Sequence, residues 1–415
     1  MSYHDEQKVH ALAPKPRARS LDVLRTGRCQ VNLPGRLHAM DLTLTAKVQL
    51  YPTLEQEAWL RQTVEAYRQG CHDVSGIVYA THNLQQAVLH KETYRLLRAQ
   101  FGLRSQMAQS VIKTVIARYK SVLANGHPWT RVRFTQPALD LVWNRDYSLK
   151  GERFSLNTLA GRVRIPFARK GMERFFDGTW QFGTAQVVHR HGRWFLHVPM
   201  TQDVSAIDLA DIPQVVGLDF GINFLITAYD SQGRTTFFPG RAVKARRAHF
   251  TQLRQTLQRR QTPSARRRLK RIGQRENRWM TDVNHQVSKA LVVRYGVKTL
   301  FVLEDLKGIR GATERVRRRD RYTSVSWAFY QLRQMIEYKA AWQQARTVAV
   351  DPHYTSQTCP QCGQVARGNR DKRRHRFACQ QCHYRSNDDR IGAMNLHRQG
   401  IEYRVTGATA ARPQS

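Results

Sequence analysis

Val215-Val216-Gly217-Leu218-Asp219-Phe220-Gly221-Ile222 is a short apolar run that carries one carboxylate near its end and breaks on glycine. Such a run reads as a buried strand that delivers an acid to the edge of a sheet. Two later segments share the design. Leu300-Phe301-Val302-Leu303-Glu304 closes an apolar run on an acid, and Asp389 opens a short helical pattern ending near Leu396. Three carboxylates in the C-terminal half of a very basic chain point to a metal-ion phosphodiesterase site.

Working outward, a second strand is expected at 225–229, a turn at Asp230-Ser231-Gln232-Gly233 and a third strand at 235–238. A basic arm follows over 241–278, with fourteen Lys and Arg against one acid, Glu276. Its sparse apolar positions, Phe250, Leu253 and Leu257, have helical spacing. The plain reading is a solvated helical face, but so lopsided a charge repels itself unless an anion lies near. Arg246, Arg247, Arg254, Arg259, Arg267 and Lys270 are therefore candidate phosphate contacts. A strand ending at Glu304, a basic loop at 310–321, a helix at 327–342 and a strand at 347–351 complete the pattern.

Strand-strand-strand-helix-strand-helix-strand-helix is the element order of an RNase H-like fold, in which the first and fourth strands lie side by side. Asp219 and Glu304 would then be neighbours in space although 85 positions apart. Each acid alone could equally be a surface residue or a helix cap, and Asp305 and Asp388 are adjacent alternatives. Glu304 is preferred because it closes its apolar run in phase. Paired magnesium ions can activate water and stabilise the leaving oxygen of a phosphodiester, and they take hard oxygen ligands. In that role Asp219 bridges two Mg2+ ions while Glu304 and Asp389 each hold one side.

Cys359-Pro360-Gln361-Cys362 and Cys379-Gln380-Gln381-Cys382 are separated by sixteen residues, the spacing of a four-cysteine zinc ribbon. Four protein thiolates leave no open coordination position, so a Zn2+ held there is structural. His375 and His383 lie close by and read as surface residues. Cys29 and Cys71 stand alone, and the pattern implies a metal site in a reducing compartment rather than a disulfide framework.

Over 415 residues, 68 Lys and Arg face 31 Asp and Glu, a formal net charge of +37. A field of that sign implies a polyanionic partner, here nucleic acid. An anionic membrane is the competitor, but no apolar run approaches the ~18–20 residues of a span. Residues 1–10 are polar and lack the apolar core of a signal peptide, so a cytoplasmic protein is expected.

The N-terminal half has a different texture. Residues 1–39 are basic, hold three prolines and read as a flexible extension. Leu42, Leu44, Ala46, Val48 and Leu50 alternate as a half-buried strand. Leu60, Val64, Tyr67, Cys71, Val74 and Val78 form one helical stripe, and Met107, Val111, Val115, Tyr119 and Val122 form another. Both read as the core of a small helical bundle. The polar faces of the second helix, with Gln106, Gln109, Lys113 and Lys120, are candidate nucleic-acid contacts. Short β-like pieces at 131–134, 162–165 and 194–198 suggest a β-barrel or sheet. Phe134, Trp143, Phe154, Phe175, Trp180 and Phe182 there read as core first and as base-stacking residues second.

The C-terminal two hundred positions carry Gly217-Leu218-Asp219-Phe220-Gly221, Leu303-Glu304-Asp305-Leu306, Trp327 through Tyr338-Lys339-Ala340, and Asp351-Pro352-His353-Tyr354-Thr355-Ser356-Gln357-Thr358-Cys359. The ribbon then leads into Asp389-Arg390-Ile391-Gly392-Ala393-Met394-Asn395-Leu396. On these motifs the segment resembles the RuvC-type nuclease domain of the TnpB family and its relatives, the compact type V CRISPR effectors. The resemblance implies a multidomain α+β chain with a β-barrel wedge at 40–52 and 127–212 and a helical recognition domain at 53–126, and it offers no counterpart for the flexible basic extension at 1–39. It further implies a RuvC-like nuclease domain at 213–355 and 386–401, an inserted zinc ribbon at 356–385 and a tail at 402–415.

The same resemblance implies a guide-RNA-directed DNA endonuclease that reads a short flanking motif and cuts at one site. Its partners would be a guide RNA and target DNA, as duplex and displaced strand, bound by a monomer or homodimer. Asp219, Glu304 and Asp389 would be its catalytic acids. The family usually has Asn two residues after the last Asp, where this chain has Ile391. Retained activity with a differently packed helix start is the expectation. An RNA-guided DNA-binding repressor without cleavage is the alternative, and a zinc-ribbon nucleic-acid binder with no guide is a third reading.

Overall fold

The computed structural model describes residues 40–135, 138–204, 207–305 and 327–410. The expectations for 1–39, for the basic loop at 310–321 and for 411–415 lie outside the described residues. The chain divides into two compact units, one built on Thr43–Gln202 and one on Asp203–Ser415.

In the first unit the strand β1 (Met40–Leu50) leads into α1 (Leu54–Thr81). Thr53 caps that helix, accepting from the Gln56 N–H, while the Gln56 side chain accepts from the Thr53 N–H. Helices α2 (Gln86–Phe101) and α3 (Ser105–Ala124) follow. The two expected stripes are buried, Leu60 through Val78 on α1 and Met107 through Tyr119 on α3. Helix α2 gave little sequence signal because it buries only Leu89, Thr93 and Leu97.

Strands β2 (Ala138–Leu141), β3 (Tyr147–Lys150), β4 (Arg153–Thr158), β5 (Gly161–Pro166), β6 (Gln181–Phe182), β7 (Ala185–Arg190) and β8 (Arg193–Val204) form two sheets. One has the order β1-β8-β7-β2 with β6 on β8, and the other is β3-β4-β5. They meet at a Leu50–Phe167 bridge and a Trp143–Tyr147 bridge, so the early strand does join the β region. The expected strand at 131–134 is corrected: this stretch pairs with no strand among the described residues. Its carbonyls are taken by α1 instead, Val132 by the Ser75 hydroxyl at 2.7 Å and Phe134 by Arg68 at 3.2 Å. Phe154, Phe175 and Trp180 are buried, and Trp143 packs on Phe182 with ring centroids 4.5 Å apart. These aromatics serve the core.

The second unit is organised by β9 (Gln214–Asp219), β10 (Phe224–Asp230), β11 (Thr235–Pro239), β12 (Thr299–Glu304) and β13 (Arg346–Val350), in the order β11-β10-β9-β12-β13. The first three are antiparallel neighbours, whereas β9, β12 and β13 run parallel. The expected adjacency of the Asp219 and Glu304 strands is present. Both faces are covered, so the strands read as continuous apolar runs. On one face Val216, Leu218, Phe301 and Leu303 pack against α5 (Pro263–Tyr295) and α6 (Trp327–Trp342). On the other, Val215, Leu300 and Val302 meet Leu396 of α7 (Asp388–Ala410). Helix α7 continues well past 401, and Arg404 donates to the Ile212 carbonyl at 2.9 Å, so the described part of the expected tail belongs to the fold.

Helix α7 lies directly on the strands because glycines let it. A Cβ on Gly217 would stand 2.1 Å from the Ala393 carbonyl oxygen, and one on Gly400 would stand 2.2 Å from Val302 Cγ2. Gly217→Ala is therefore expected to destabilise this unit by about 3 kcal/mol, at the upper end for overpacking. Urea unfolding measures it, and an unchanged midpoint would mean that the helix can lift off the strand at no cost.

The expected single basic arm is a helical hairpin, α4 (Arg241–Arg260) with the first half of α5. Gln261 takes a left-handed φ of 49° at the turn, the Thr262 hydroxyl accepts from the Ala265 N–H at 3.2 Å, and Pro263 starts α5. Phe250, Leu257, Ala265 and Ile272 form the seam. No described helix is long and apolar enough to cross a membrane.

Candidate active site

Strand periodicity sends Asp219 to one side of the sheet. Residues two apart share a face, so Asp219 follows Val215 and Gly217, and Glu304 follows Leu300 and Val302, onto the face covered by α7. The parallel register pairs Leu303 with Leu218, which leaves the two acids side by side at the strand ends. Asp305 has the opposite parity and meets Arg333 of α6 at 3.4 Å. The preference for Glu304 over Asp305 thus has a geometric basis. Asp389 comes from the first turn of α7, where the Asn387 side-chain oxygen accepts from the N–H groups of Asp389 and Arg390 at 3.0 and 3.2 Å.

The three carboxylates feel one another. Burial, then Glu304 and then Asp389 push the Asp219 carboxyl well above the usual carboxylate range. Burial also raises Glu304 and Asp389, with Asp388 adding to the rise at Asp389. Arg370 works against the rise at all three. Room for the Asp219 carboxylate comes from Gly392, where a Cβ would stand 3.0 Å from Asp219 Cγ. Thr355 donates its hydroxyl to Glu304 at 2.9 Å. The Thr355 and Thr358 carbonyls are held in turn by the Asn395 amide of α7, at 2.7 and 2.9 Å. Asp219 and Glu304 are half-buried and Asp389 is buried, and closely set carboxylates of this kind offer the hard oxygens that divalent ions take.

The ribbon strands are β14 (Arg370–Asp371), β15 (Arg376–Ala378) and β16 (Arg385–Asn387), and β16 runs straight into α7. The sulfur atoms of Cys359, Cys362, Cys379 and Cys382 all lie within 4.8 Å of one another. The pairs Cys359–Cys382 and Cys362–Cys379 are each 3.5 Å apart. A tetrahedron with bonds of about 2.3 Å places its sulfurs about 3.8 Å apart, so the four thiols fit a zinc ion. Ile391 is fully buried with Cys359, Phe377 and Cys379. The unusual apolar residue in the last motif therefore bolts α7 to the ribbon. Ile391→Ala is expected to cost about 2–5 kcal/mol, visible as a lower urea midpoint and faster proteolysis in the ribbon. Equal midpoints would deny the bolt.

Thr355, Arg370 and His375 were not foreseen as site residues. Thr355 lay within a quoted motif, but nothing local marked Arg370 or His375 among the ribbon's many basic residues. His375 is exposed, as expected, and its ring meets the Asn223 amide and lies 3.5 Å from Asp388. Arg370 donates to Asp388 at 2.9 Å.

Of the candidate nucleic-acid contacts, Lys113, Lys120, Arg246, Arg259, Arg267 and Lys270 are exposed. Arg246 lies over the Trp279 ring, 4.7 Å from its centroid. Arg254 is ion-paired with the buried Glu276, and Arg247 stands 4.0 Å from the same carboxylate, so these two are committed to the hairpin. Gln106 and Gln109 are half-buried, and Gln106 accepts from Arg145 at 3.0 Å.

Fold and geometry together describe a multidomain α+β protein with three neighbouring acids, two at adjacent strand ends and one on the first turn of α7, and a four-cysteine cluster fit for zinc. Residues 329–396 match the model of the Cas12f1-like TNB domain, and residues 197–309 match the OrfB_IS605 model, described as "Probable transposase". The chain is a relative of the TnpB-like and Cas12f1 proteins. It is 28% identical over 54% of its length to a CRISPR-associated endodeoxyribonuclease Cas12f1 of Sulfoacidibacillus thermotolerans, covering 55% of that protein. It is 28% identical over 49% of its length to InsQ of Escherichia coli K12, whose name as an RNA-guided DNA endonuclease is provisional, covering 53% of it. With a TnpB-like protein of Methanocaldococcus jannaschii it shares 31% identity over 32% of its length, and covers 46% of that protein. The chain thus spans about half the length of the curated relatives it matches.

Proposed function

We propose that the chain is an RNA-guided DNA endonuclease that cuts target DNA at one RuvC-like site. The observation that carries this reading is the meeting of Asp219, Glu304 and Asp389 on the α7 face of the sheet. Bound magnesium ions would supply activation of the attacking water and stabilisation of the leaving oxygen. Asp219, Glu304 and Asp389 would hold those ions, and Asp219 feels the charge of both other acids. Thr355 orients Glu304 by its hydrogen bond, and Asn387 fixes the turn that presents Asp389. The four ribbon cysteines hold a structural zinc.

The exposed cations of the α4–α5 hairpin and of α3 take the phosphates of guide RNA and target DNA, both the duplex and its displaced strand. The burial of Ile391 in the ribbon core supports reading that departure as a packing change, with the acid set intact. The test is purification with bound RNA, sequencing of that RNA, and incubation with matched duplex DNA and magnesium. One discrete RNA and magnesium-dependent cuts are expected. Binding without cleavage would favour the repressor, and a mixed RNA population would favour a zinc-ribbon binder without a guide.

A further inference from the structure

A second polar cluster lies beside the three acids, at the start of α7. Its members are His375, Asp388 and Asp389, each of which offers one ligand atom, and these atoms all lie within 4.8 Å of one another. Asp388 is 1% exposed. One of its oxygens, Oδ2, accepts from Arg370 Nε at 2.9 Å. The other, Oδ1, is buried and has no hydrogen-bond donor among the described residues. Its nearest cationic candidate is His375 Nδ1 at 3.5 Å, within ion-pair reach but outside a hydrogen bond. Half of a buried carboxylate is thereby left without a hydrogen bond among the described residues, which buried polar groups rarely tolerate.

The imidazole that faces this oxygen is held in place. His375 occupies the turn between β14 and β15 with φ of +53°. Its second ring nitrogen, Nε2, meets the Asn223 amide nitrogen, Nδ2. That amide can present either its nitrogen or its oxygen there. With the amide turned over so that its oxygen accepts from Nε2–H, Nδ1 carries a lone pair and stands 3.5 Å from Asp388 Oδ1. Metal-bound histidines are usually set in this way, with the distal N–H given to a carbonyl or carboxylate.

We propose that His375, Asp388 and Asp389 form a binding site for one first-row divalent metal ion such as Mn2+, distinct from the all-oxygen centre at Asp219 and Glu304. An imidazole with two carboxylates suits a transition ion better than magnesium, which binds through oxygen alone. The ion would satisfy Asp388 Oδ1 and clamp the ribbon turn onto the first turn of α7. The site shares Asp389 with the proposed nuclease centre, but it stands whether or not that centre cuts. A bridging water is the rival occupant.

Mn2+ itself is the probe, added to the purified full-length chain. Pulsed electron paramagnetic resonance detects a nitrogen nucleus bonded to Mn2+, which an all-oxygen site does not supply. Nitrogen coupling is expected in the wild type and in Asp219→Ala/Glu304→Ala, and is expected to vanish in His375→Asn. Asparagine is chosen because it tolerates the left-handed turn that alanine would strain. Asn223→Ala keeps the imidazole but removes its support, and should weaken Mn2+ binding by about 10–100-fold. Absent coupling in the wild type, or coupling unchanged in His375→Asn, overturns the site. Loss of coupling in Asp219→Ala/Glu304→Ala would assign the ion to the acid centre instead, which also overturns it. If His375→Asn does not fold, unchanged affinity in Asn223→Ala rejects the proposed coordination. Failure of the nuclease reading is seen separately, as no cutting by a wild type that still shows the coupling.

Discussion

Asp219→Asn is expected to abolish DNA cutting, by at least about 10³-fold as for single members of a catalytic group, and to raise the stability of the magnesium-free protein. The two effects share one cause. Burial and the adjacent Glu304 and Asp389 lift the Asp219 carboxyl well above its ordinary value. In the folded state it therefore holds a proton that the unfolded chain releases above pH of about 3.9. The resulting stability is fully present below that value and is lost as pH rises through the folded pKa. The asparagine variant has no such loss, since it never ionises. Thermal unfolding over a pH series in magnesium-free buffer should show the wild type falling behind with rising pH. The gain corresponds to roughly 2–4 °C per kcal/mol of repulsion removed. Added magnesium should narrow the gap by stabilising only the wild type. Full cutting by the variant would remove Asp219 from the reaction.

Cys379→Ser should be nearly as damaging to cutting, although it touches none of the three acids. Zinc binding by such clusters is worth about 10–16 kcal/mol and largely decides whether the segment folds. Here the ribbon also builds the acid site. Its last strand ends in Asn387, which caps α7 beside Asp389. Its core holds Ile391, and its strand β14 carries Arg370. The variant should purify with little zinc, be cleaved by protease within 356–390, and cut DNA poorly. The unit built on Thr43–Gln202 contains none of these residues and should keep its own unfolding transition. Full cutting by zinc-free protein would show that the ribbon is dispensable for placing Asp389.

Much of the second unit was legible because its signals are local. A strand buried on both faces must be apolar throughout, so 215–218 and 300–303 announce themselves. Cysteine spacing announces the ribbon. The first unit was less legible where tertiary contacts replace a periodic pattern. Helix α2 buries one face only at every fourth residue, and 131–134 looks like a strand but gives its carbonyls to α1 side chains. The long basic arm folds back on itself because Thr262 and Pro263 start a new helix. Glu276, its one acid, is then buried against Arg254 rather than left to solvent.

Sequence alone determined the strands that end in acids, the four thiols and the basic field, since each depends on residue type and on spacing along a single element. Only the tertiary structure decided which acids meet and what surrounds them. Glu304 and not Asp305 joins Asp219, because α7 covers one face of the sheet and Arg333 waits on the other. Arg370 reaches the site from β14, Thr355 from the segment after β13 and His375 from the turn between β14 and β15. Their positions follow from how closely α7 settles over Gly217 and Gly400 and how Ile391 locks it to the ribbon. Such contacts are fixed by packing between distant segments, and no local pattern records them.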